Sequence, residues 1–84
     1  MRDFNYKIVE QYGVISGRKN GAETLELNAI SYNGRETKID LRRWDRSEGE
    51  KMLKGITLTY AEAEGLRDVL NRIDFEGEKG GEVL

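Results

Sequence analysis

The sequence contains no cysteine and no histidine among its 84 residues. Disulfide bonds, zinc ribbons and histidine metal sites are therefore excluded as ways to stabilise the fold. A chain of this length buries only about 60–65% of its unfolded surface, so a single core is marginal. Association with a second copy is the common remaining solution at this size, which favours a dimer.

Long apolar runs are also missing, because no stretch of even ten consecutive residues is apolar. We therefore expect no membrane-spanning segment. The N-terminal residues Met1 to Phe4 lack the apolar stretch of a signal peptide. Together with the absence of cysteine, this leads us to expect a cytoplasmic location.

The same absences argue against catalysis, since histidine is the usual base in nucleophilic mechanisms. The segment from Asp45 faintly resembles a calcium loop, but it lacks a third acidic ligand and its glycine is displaced by one position. Acidic residues in a chain that is 36% charged usually lie on the surface. We therefore expect a non-enzymatic protein without metal, cofactor or small-molecule substrate. The acidic residues that could be considered as magnesium ligands, and that we expect to lie on the surface, are Asp40, Asp45, Glu48 and Glu50.

The net charge of −2 argues mildly against nucleic-acid binding, but its distribution is uneven. Residues 1–54 contain eleven Lys or Arg against nine Asp or Glu, whereas residues 55–84 contain three against seven. A slightly basic first part is thus followed by an acidic C-terminal part.

Apolar and β-branched residues predict four strands followed by one helix. Alternation places Leu25, Leu27 and Ala29 on one side of the second strand, with polar residues opposite. A capping box, Thr59-x-x-Glu62, predicts the start of the helix. The fold class predicted from these patterns is α+β, a four-stranded antiparallel sheet followed by one C-terminal helix, as a homodimer. The predicted strands are Phe4–Ser16, Thr24–Tyr32, Arg35–Trp44 and Met52–Leu58.

The register of the central hairpin follows from parity. A two-residue turn at Asn33-Gly34 would place Leu27 opposite Asp40 and so mix the two faces. A three-residue loop ending at Gly34 restores the parity and would pair Leu27 with Ile39. We therefore predict that Gly34 occupies a left-handed bulge position.

The helix carries an apolar stripe that would cover one face of the sheet. The other face would remain open, as an interface or a binding surface. We assign residues 1–75 to one folded domain and residues 76–84, polar and rich in glycine, to a disordered tail. The stripe comprises Ala63, Leu66, Val69, Leu70 and Ile73.

Basic and aromatic residues share the polar side of the predicted strands. Single-strand binders combine cations that follow the phosphates with aromatic rings on which bases stack. Alternatives remain open, because Trp44 could pack in a core or interface and Arg42 could pair with a carboxylate such as Glu26. The candidate set from this pattern is Tyr32, Arg35, Lys38, Arg42 and Trp44.

An ordered series of short motifs lies between residues 38 and 58: Ile-Asp-Leu-Arg, then Trp44, then Glu-Gly-Glu, then Lys-Gly-Ile-Thr-Leu. This series resembles the positive cofactor four family, which comprises the C-terminal domain of a transcriptional coactivator and its bacterial YdbC-like relatives. The resemblance covers roughly residues 4–75 and looks closest to the bacterial branch.

The resemblance implies that the four-stranded antiparallel sheet is curved and that two chains form a homodimer with helices in its core. It also implies basic, aromatic channels that hold single-stranded DNA with little sequence preference. It implies nucleic-acid contacts at Tyr32, Arg35, Arg42, Trp44 and Lys54. The sequence departs from the family pattern by one extra hairpin residue and by one missing residue between Arg42 and Trp44. The regulatory serine-rich region of the eukaryotic coactivator is absent, so its mediator-style role does not carry over.

We therefore predict single-stranded DNA binding, with RNA as an open alternative partner, in transcription regulation or DNA maintenance. The competing hypothesis is a protein–protein interaction module that uses the open sheet face, with Trp44 as its anchor.

Overall fold

The computed structural model describes residues 5–77. Four strands form one antiparallel sheet in the order β1-β2-β3-β4, and one helix follows, which confirms the predicted α+β class. Within the described residues, no helix is both long and apolar enough to cross a lipid bilayer. The elements are β1 Tyr6–Arg18, β2 Glu23–Tyr32, β3 Lys38–Asp45, β4 Lys51–Leu58 and α1 Tyr60–Leu70.

The turn between β2 and β3 differs from the prediction. Asn33 and Gly34 both adopt left-handed backbone conformations, with φ of 52° and 74°. The Arg35 amide donates to the Tyr32 carbonyl at 2.9 Å, which closes a two-residue turn. The three-residue loop ending at Gly34 is therefore wrong, because the turn itself uses only two residues.

The extra residue that the correct pairing of faces requires lies between the turn and β3. There, residues 35–37 are not part of a strand. Pairing resumes at Lys38, opposite Ile30, and Leu27 faces Leu41 instead of Ile39. The predicted register is therefore wrong by two residues, but its parity is correct. The same residues consequently share a face as the alternation indicated.

The sheet is strongly coiled. Tyr6 pairs with Tyr32 at one end of β2, whereas Trp44 pairs with Thr24 near the other end. Eight residues of extended strand span about 26 Å. The ring centroids of Tyr6 and Trp44 are nevertheless only 5.9 Å apart. The face that carries Trp44, here called the inner face, is therefore concave.

Bulges in β1 account for this bending, since each bulge adds one residue, bends its strand and increases the local twist. The register of β1 against β2 shifts three times, between Ile8 and Glu10, between Gln11 and Gly13, and between Val14 and Ser16.

Burial differs from the prediction on the inner face, which the alternation indicated to be polar and exposed. Trp44, Asn28 and Asp40 lie on this face and are at most 1% exposed. On the opposite, outer face, Ala29 and Ile39 are buried. The inner face is thus a closed part of the core, because the coiled sheet folds its side chains against one another.

Helix α1 begins as predicted. The Thr59 side chain accepts from the Glu62 amide, and the Glu62 side chain accepts from the Thr59 amide, so the capping box is present. The helix ends at Leu70, before the last residue of the predicted stripe. None of its residues is buried, although it packs against β3 and β4. The apolar stripe is therefore only partly covered within one chain.

The predicted disordered tail, residues 76–84, lies outside the described residues except for residues 76 and 77. The first residue of the predicted strand one, Phe4, also lies outside them.

Candidate nucleic-acid interface

Two of the predicted cations lie at the tip formed by β2, the Asn33-Gly34 turn and the start of β3. Arg35 is exposed in the turn, and Lys38 pairs with Ile30 on the inner face. Within residues 5–77, neither cation forms an ion pair. Both charges therefore remain available to an external anion.

The tip is held in place by backbone and side-chain hydrogen bonds. The Asn5 amide donates to the Asn33 side-chain oxygen at 2.9 Å, and the Asn33 amide donates to the Asn5 carbonyl at 2.8 Å. The Ser31 hydroxyl donates to the Arg35 carbonyl at 2.6 Å. The turn that presents Arg35 is thus anchored to Asn5, the residue before β1, and to the end of β2.

Asp40 is the centre of a buried hydrogen-bond cluster on the inner face. Its carboxylate accepts from the Tyr32 hydroxyl at 2.6 Å and from the Thr57 hydroxyl at 3.1 Å. The Arg42 guanidinium donates to both carboxylate oxygens at 2.8 Å. It also donates to the Tyr32 oxygen at 3.0 Å and to the Leu53 carbonyl at 2.9 Å. The cluster therefore links β2, β3 and β4.

Electrostatics in this cluster favour the charged pair. Burial would raise the pKa of Asp40, but hydrogen bonds from Arg42 and Tyr32 outweigh it, and the pKa lies below its ordinary value. Burial and the bond to Asp40 raise the pKa of the Tyr32 hydroxyl. Asp40 is thus ionised at neutral pH, and Tyr32 is neutral and donates to it.

Gly55 on β4 allows the close approach of Arg42 on β3, because glycine has no side chain. A Cβ atom at Gly55 would lie 2.1 Å from the Arg42 Cβ and 2.8 Å from the Leu41 carbonyl oxygen. No side chain fits at that separation, so a residue larger than glycine would displace β4 from β3.

Arg42 is therefore not the exposed cation that the alternation predicted. Its side chain is only 14% exposed, and its partner is the neighbouring carboxylate of Asp40. Glu26, the cross-strand carboxylate weighed as its partner, is paired with it through the backbone but bonds instead to Arg46 at 2.7 Å. The alternative that Arg42 forms an internal ion pair is thus correct, but its partner is Asp40 and not Glu26.

Trp44 is likewise not an exposed platform, since its side chain is fully buried. Tyr6 packs against it at a tilted angle of 56°, and the Arg46 guanidinium lies 5.0 Å from the centroid of its ring. The prediction of an exposed tryptophan is wrong because the coiled sheet encloses this position. The alternative of a packed Trp44 describes the structure.

Arg46 and Tyr6 close the inner face over Trp44, and sequence reasoning missed both. Arg46 bridges the carboxylates of Glu26 and Glu50, at 2.7 Å and 3.4 Å. The Tyr6 hydroxyl donates to Glu50 at 2.5 Å, and burial together with this bond raises its pKa to about 12. The alternation of β1 gave no signal of these contacts, which depend on coiling of the sheet.

Lys54 does not join the other candidates. It lies beside a register shift between β3 and β4, and it lines a groove on the outer face with Arg43, Leu25 and Ile56. This groove lies toward the end of the sheet opposite the Tyr32 tip. The six predicted site residues therefore divide into three groups: Tyr32, Arg35 and Lys38 at the tip, Arg42 and Trp44 enclosed by the inner face, and Lys54 apart from both.

Among the described residues, acidic side chains do not gather in groups of three or more that could hold a metal ion. Asp40, from the set weighed as a magnesium site, is bound to Arg42, and Asp45 accepts from the Ser47 amide and hydroxyl.

A coiled antiparallel sheet, a C-terminal helix and a basic hairpin tip together make up a small α+β domain. Residues 19–69, more than half of the chain, match the family Transcriptional Coactivator p15 (PC4). The chain belongs to this family, which confirms the resemblance found in the sequence. Membership supports non-enzymatic nucleic-acid binding at the level of the family.

The similarity extends over most of the chain in a relative from Treponema pallidum (strain Nichols). That relative, described as an uncharacterized protein, is 45% identical over 74 residues, which cover 88% of this chain and 85% of the relative.

Proposed function

We propose that this protein binds single-stranded DNA without catalysis and with little sequence preference, as a homodimer, in transcription regulation or DNA maintenance. The observation that carries the proposal is the tip of the β2–β3 hairpin. There, Arg35 and Lys38 have no ion-pair partner within residues 5–77 and lie next to the aromatic Tyr32. Family membership supplies the class of ligand.

Single strands suit this tip because it offers separated cations and one aromatic ring instead of a continuous helix for a major groove. The proposed contacts are Tyr32, Arg35 and Lys38, with Lys54 on the outer face. Arg42 and Trp44 are left out of this set, because their side chains are enclosed by the inner face.

The dimer is supported by apolar surface that one chain leaves uncovered. Leu66, Leu70 and Ile73 are about 40% exposed, at 38%, 42% and 41%. Val69 and Phe75 are about half exposed, at 51% and 52%. Contiguous apolar surface of this kind marks an interaction site in soluble proteins. A second copy is the expected occupant, since the chain is short and lacks disulfide and histidine metal staples.

A titration of labelled oligo-dT, followed by fluorescence anisotropy at moderate salt, tests the nucleic-acid function. We expect saturable binding in the micromolar range or tighter, weaker binding to a duplex of equal length, and similar binding to mixed-sequence single strands. An oligo-U strand in parallel decides between DNA and RNA preference. Absence of binding to both single strands would reject the proposal.

Sedimentation equilibrium tests the dimer, and we expect twice the chain mass of 9.6 kDa at about 50 μM protein. Leu70→Glu places a charge in the exposed stripe and should yield a folded monomer. Glu48→Gln in the exposed loop after β3 is the control, because it also changes the net charge by one unit, and it should remain dimeric. A monomeric wild-type protein would contradict the dimer.

The competing protein-interaction module loses its proposed anchor, because Trp44 is buried. A protein-interaction module would have to bind its partner through a different surface, the apolar stripe of α1. A wild-type protein that is monomeric and binds neither DNA nor RNA would favour it.

A further inference from the structure

The hydroxyl of Tyr32 is hydrogen-bonded to two side chains of β3, Asp40 and Arg42. It donates to Asp40 at 2.6 Å and accepts from Arg42 at 3.0 Å. Both partners belong to β3, whereas Tyr32 ends β2, next to the turn. The orientation of this aromatic ring is therefore set by groups beyond the tip itself.

The partners of Tyr32 are themselves rigid. Asp40 is fully buried and accepts four hydrogen bonds, from Tyr32, Thr57 and twice from Arg42. Arg42 also donates to the Leu53 carbonyl, and its backbone lies against Gly55. A side chain whose partners cannot shift loses little entropy when a ligand contacts it.

Packing alone does not call for a charged cluster at this place. Well-packed apolar residues of similar volume often stabilise a fold as much as a buried ion pair, because desolvation of the charges is costly. What a hydrogen-bonded cluster supplies beyond stability is a unique geometry. Here the residue of the cluster that lies next to the basic tip is Tyr32, which is only partly buried.

We propose that Asp40 is a positioning residue of the nucleic-acid surface, which with Arg42 holds the Tyr32 ring in the orientation that stacks on a base. The inference rests on the proposed function and adds a role to two side chains that do not themselves contact the ligand.

The test compares oligo-dT affinity of Tyr32→Phe, Asp40→Asn and the double variant. Tyr32→Phe keeps the stacking ring and the fold but removes both orienting bonds, so we expect affinity to fall roughly threefold to tenfold. Asp40→Asn should weaken binding similarly. The double variant should bind no more weakly than the weaker single variant, because both changes release the same ring.

Thr24→Val is the matched control, since it removes a hydroxyl that donates to another buried carboxylate of the inner face, Glu26. Its affinity should equal that of the wild type. Each affinity is measured well below the melting temperature of that variant, so that only folded protein is compared. A merely structural Asp40 would lower the melting temperature and leave the affinity unchanged.

The outcomes separate the two proposals. If the wild type binds oligo-dT and Tyr32→Phe binds equally well, the positioning role is rejected while the proposed function stands. Additive losses in the double variant would also reject it. If the wild type binds neither single strand, the function itself is rejected and this inference with it.

Discussion

The inner face of the sheet and the apolar stripe of α1 both differ from the exposure that their sequences indicate. The polar inner face is buried, whereas the apolar stripe is partly exposed. The inner face carries Asn28, Asp40 and Arg42, yet its central side chains are almost fully buried. The stripe carries Leu66 and Leu70, yet neither is buried within one chain. Curvature of the sheet, more than the polarity of individual residues, thus decides which surface one chain can close.

The two regions also differ in what completes them. The buried carboxylates of the inner face are paired within one chain, because Glu26 and Asp40 each have an arginine partner. The apolar stripe has no comparable cover among the described residues. The expected consequence is that mutations on the inner face change folding of the single chain, while those on the stripe change association.

The largest expected effect is that of Trp44→Ala, which removes the largest buried side chain of the inner face. Truncation of a buried aromatic residue costs about 3–5 kcal/mol of unfolding free energy. Urea unfolding measures the loss, and Trp44→Phe, which keeps a ring, should lose much less. A loss below about 1 kcal/mol would show that the inner face is open in solution.

Gly55→Ala should also unfold the inner face in part, because the new methyl group would overlap Arg42 and the Leu41 carbonyl. Overpacking of this kind costs about 1–3 kcal/mol or more. Gly13→Ala is the matched control, since no atom lies within 4 Å of a Cβ at that position and its φ is not positive. Equal thermal stability of the two variants would contradict the close approach of β3 and β4.

Acid should weaken the inner face through Asp40. Burial opposes its ionisation, but bonds from Arg42 and Tyr32 outweigh burial, and its pKa lies below the ordinary value of 3.8. A carboxyl group with a depressed pKa stabilises the fold fully above that ordinary value and loses its contribution as the pH falls below it.

The unfolding free energy of the wild type should therefore fall between about pH 5 and pH 2, more steeply than that of Asp40→Asn. Urea titrations at a series of pH values measure both slopes. Equal slopes would mean that Asp40 is not the group responsible.

The smallest effects concern the salt dependence of DNA binding. Each phosphate contact with a single strand contributes about 0.7 to the log–log salt slope, so Arg35→Ala and Lys38→Ala should each reduce it by about 0.7. Arg42→Ala should leave the slope of the folded protein unchanged, because its charge is already paired with Asp40. A reduced slope for Arg42→Ala, with none for Arg35→Ala, would reverse the assignment.

Local signals in the sequence predicted the local structure well. The Thr59–Glu62 capping box gave the start of α1, because it depends on residues three apart. Parity of the hairpin gave the residues that share a face, because side chains alternate strictly along a strand. The turn type was missed, since a displaced residue after Asn33-Gly34 gives the same parity as a three-residue loop.

The closure of the inner face could not be predicted in the same way. Alternation tells which residues accompany Trp44 but not whether that face is concave, because curvature comes from bulges in β1. The contact between Tyr6 and Trp44 joins residues 38 positions apart in the sequence and at opposite ends of the ladder. The exposure of Arg35 was easier to predict, because a tight turn exposes the residue that flanks it.

Intrinsic fluorescence of Trp44, the single tryptophan of the chain, tests the central claim most directly. An indole enclosed by the inner face should emit at short wavelength, resist quenching by acrylamide and keep its spectrum when oligo-dT saturates the protein. Emission at the wavelength of free tryptophan with ready quenching, or strong quenching on addition of oligo-dT, would contradict the account and return Trp44 to the nucleic-acid surface.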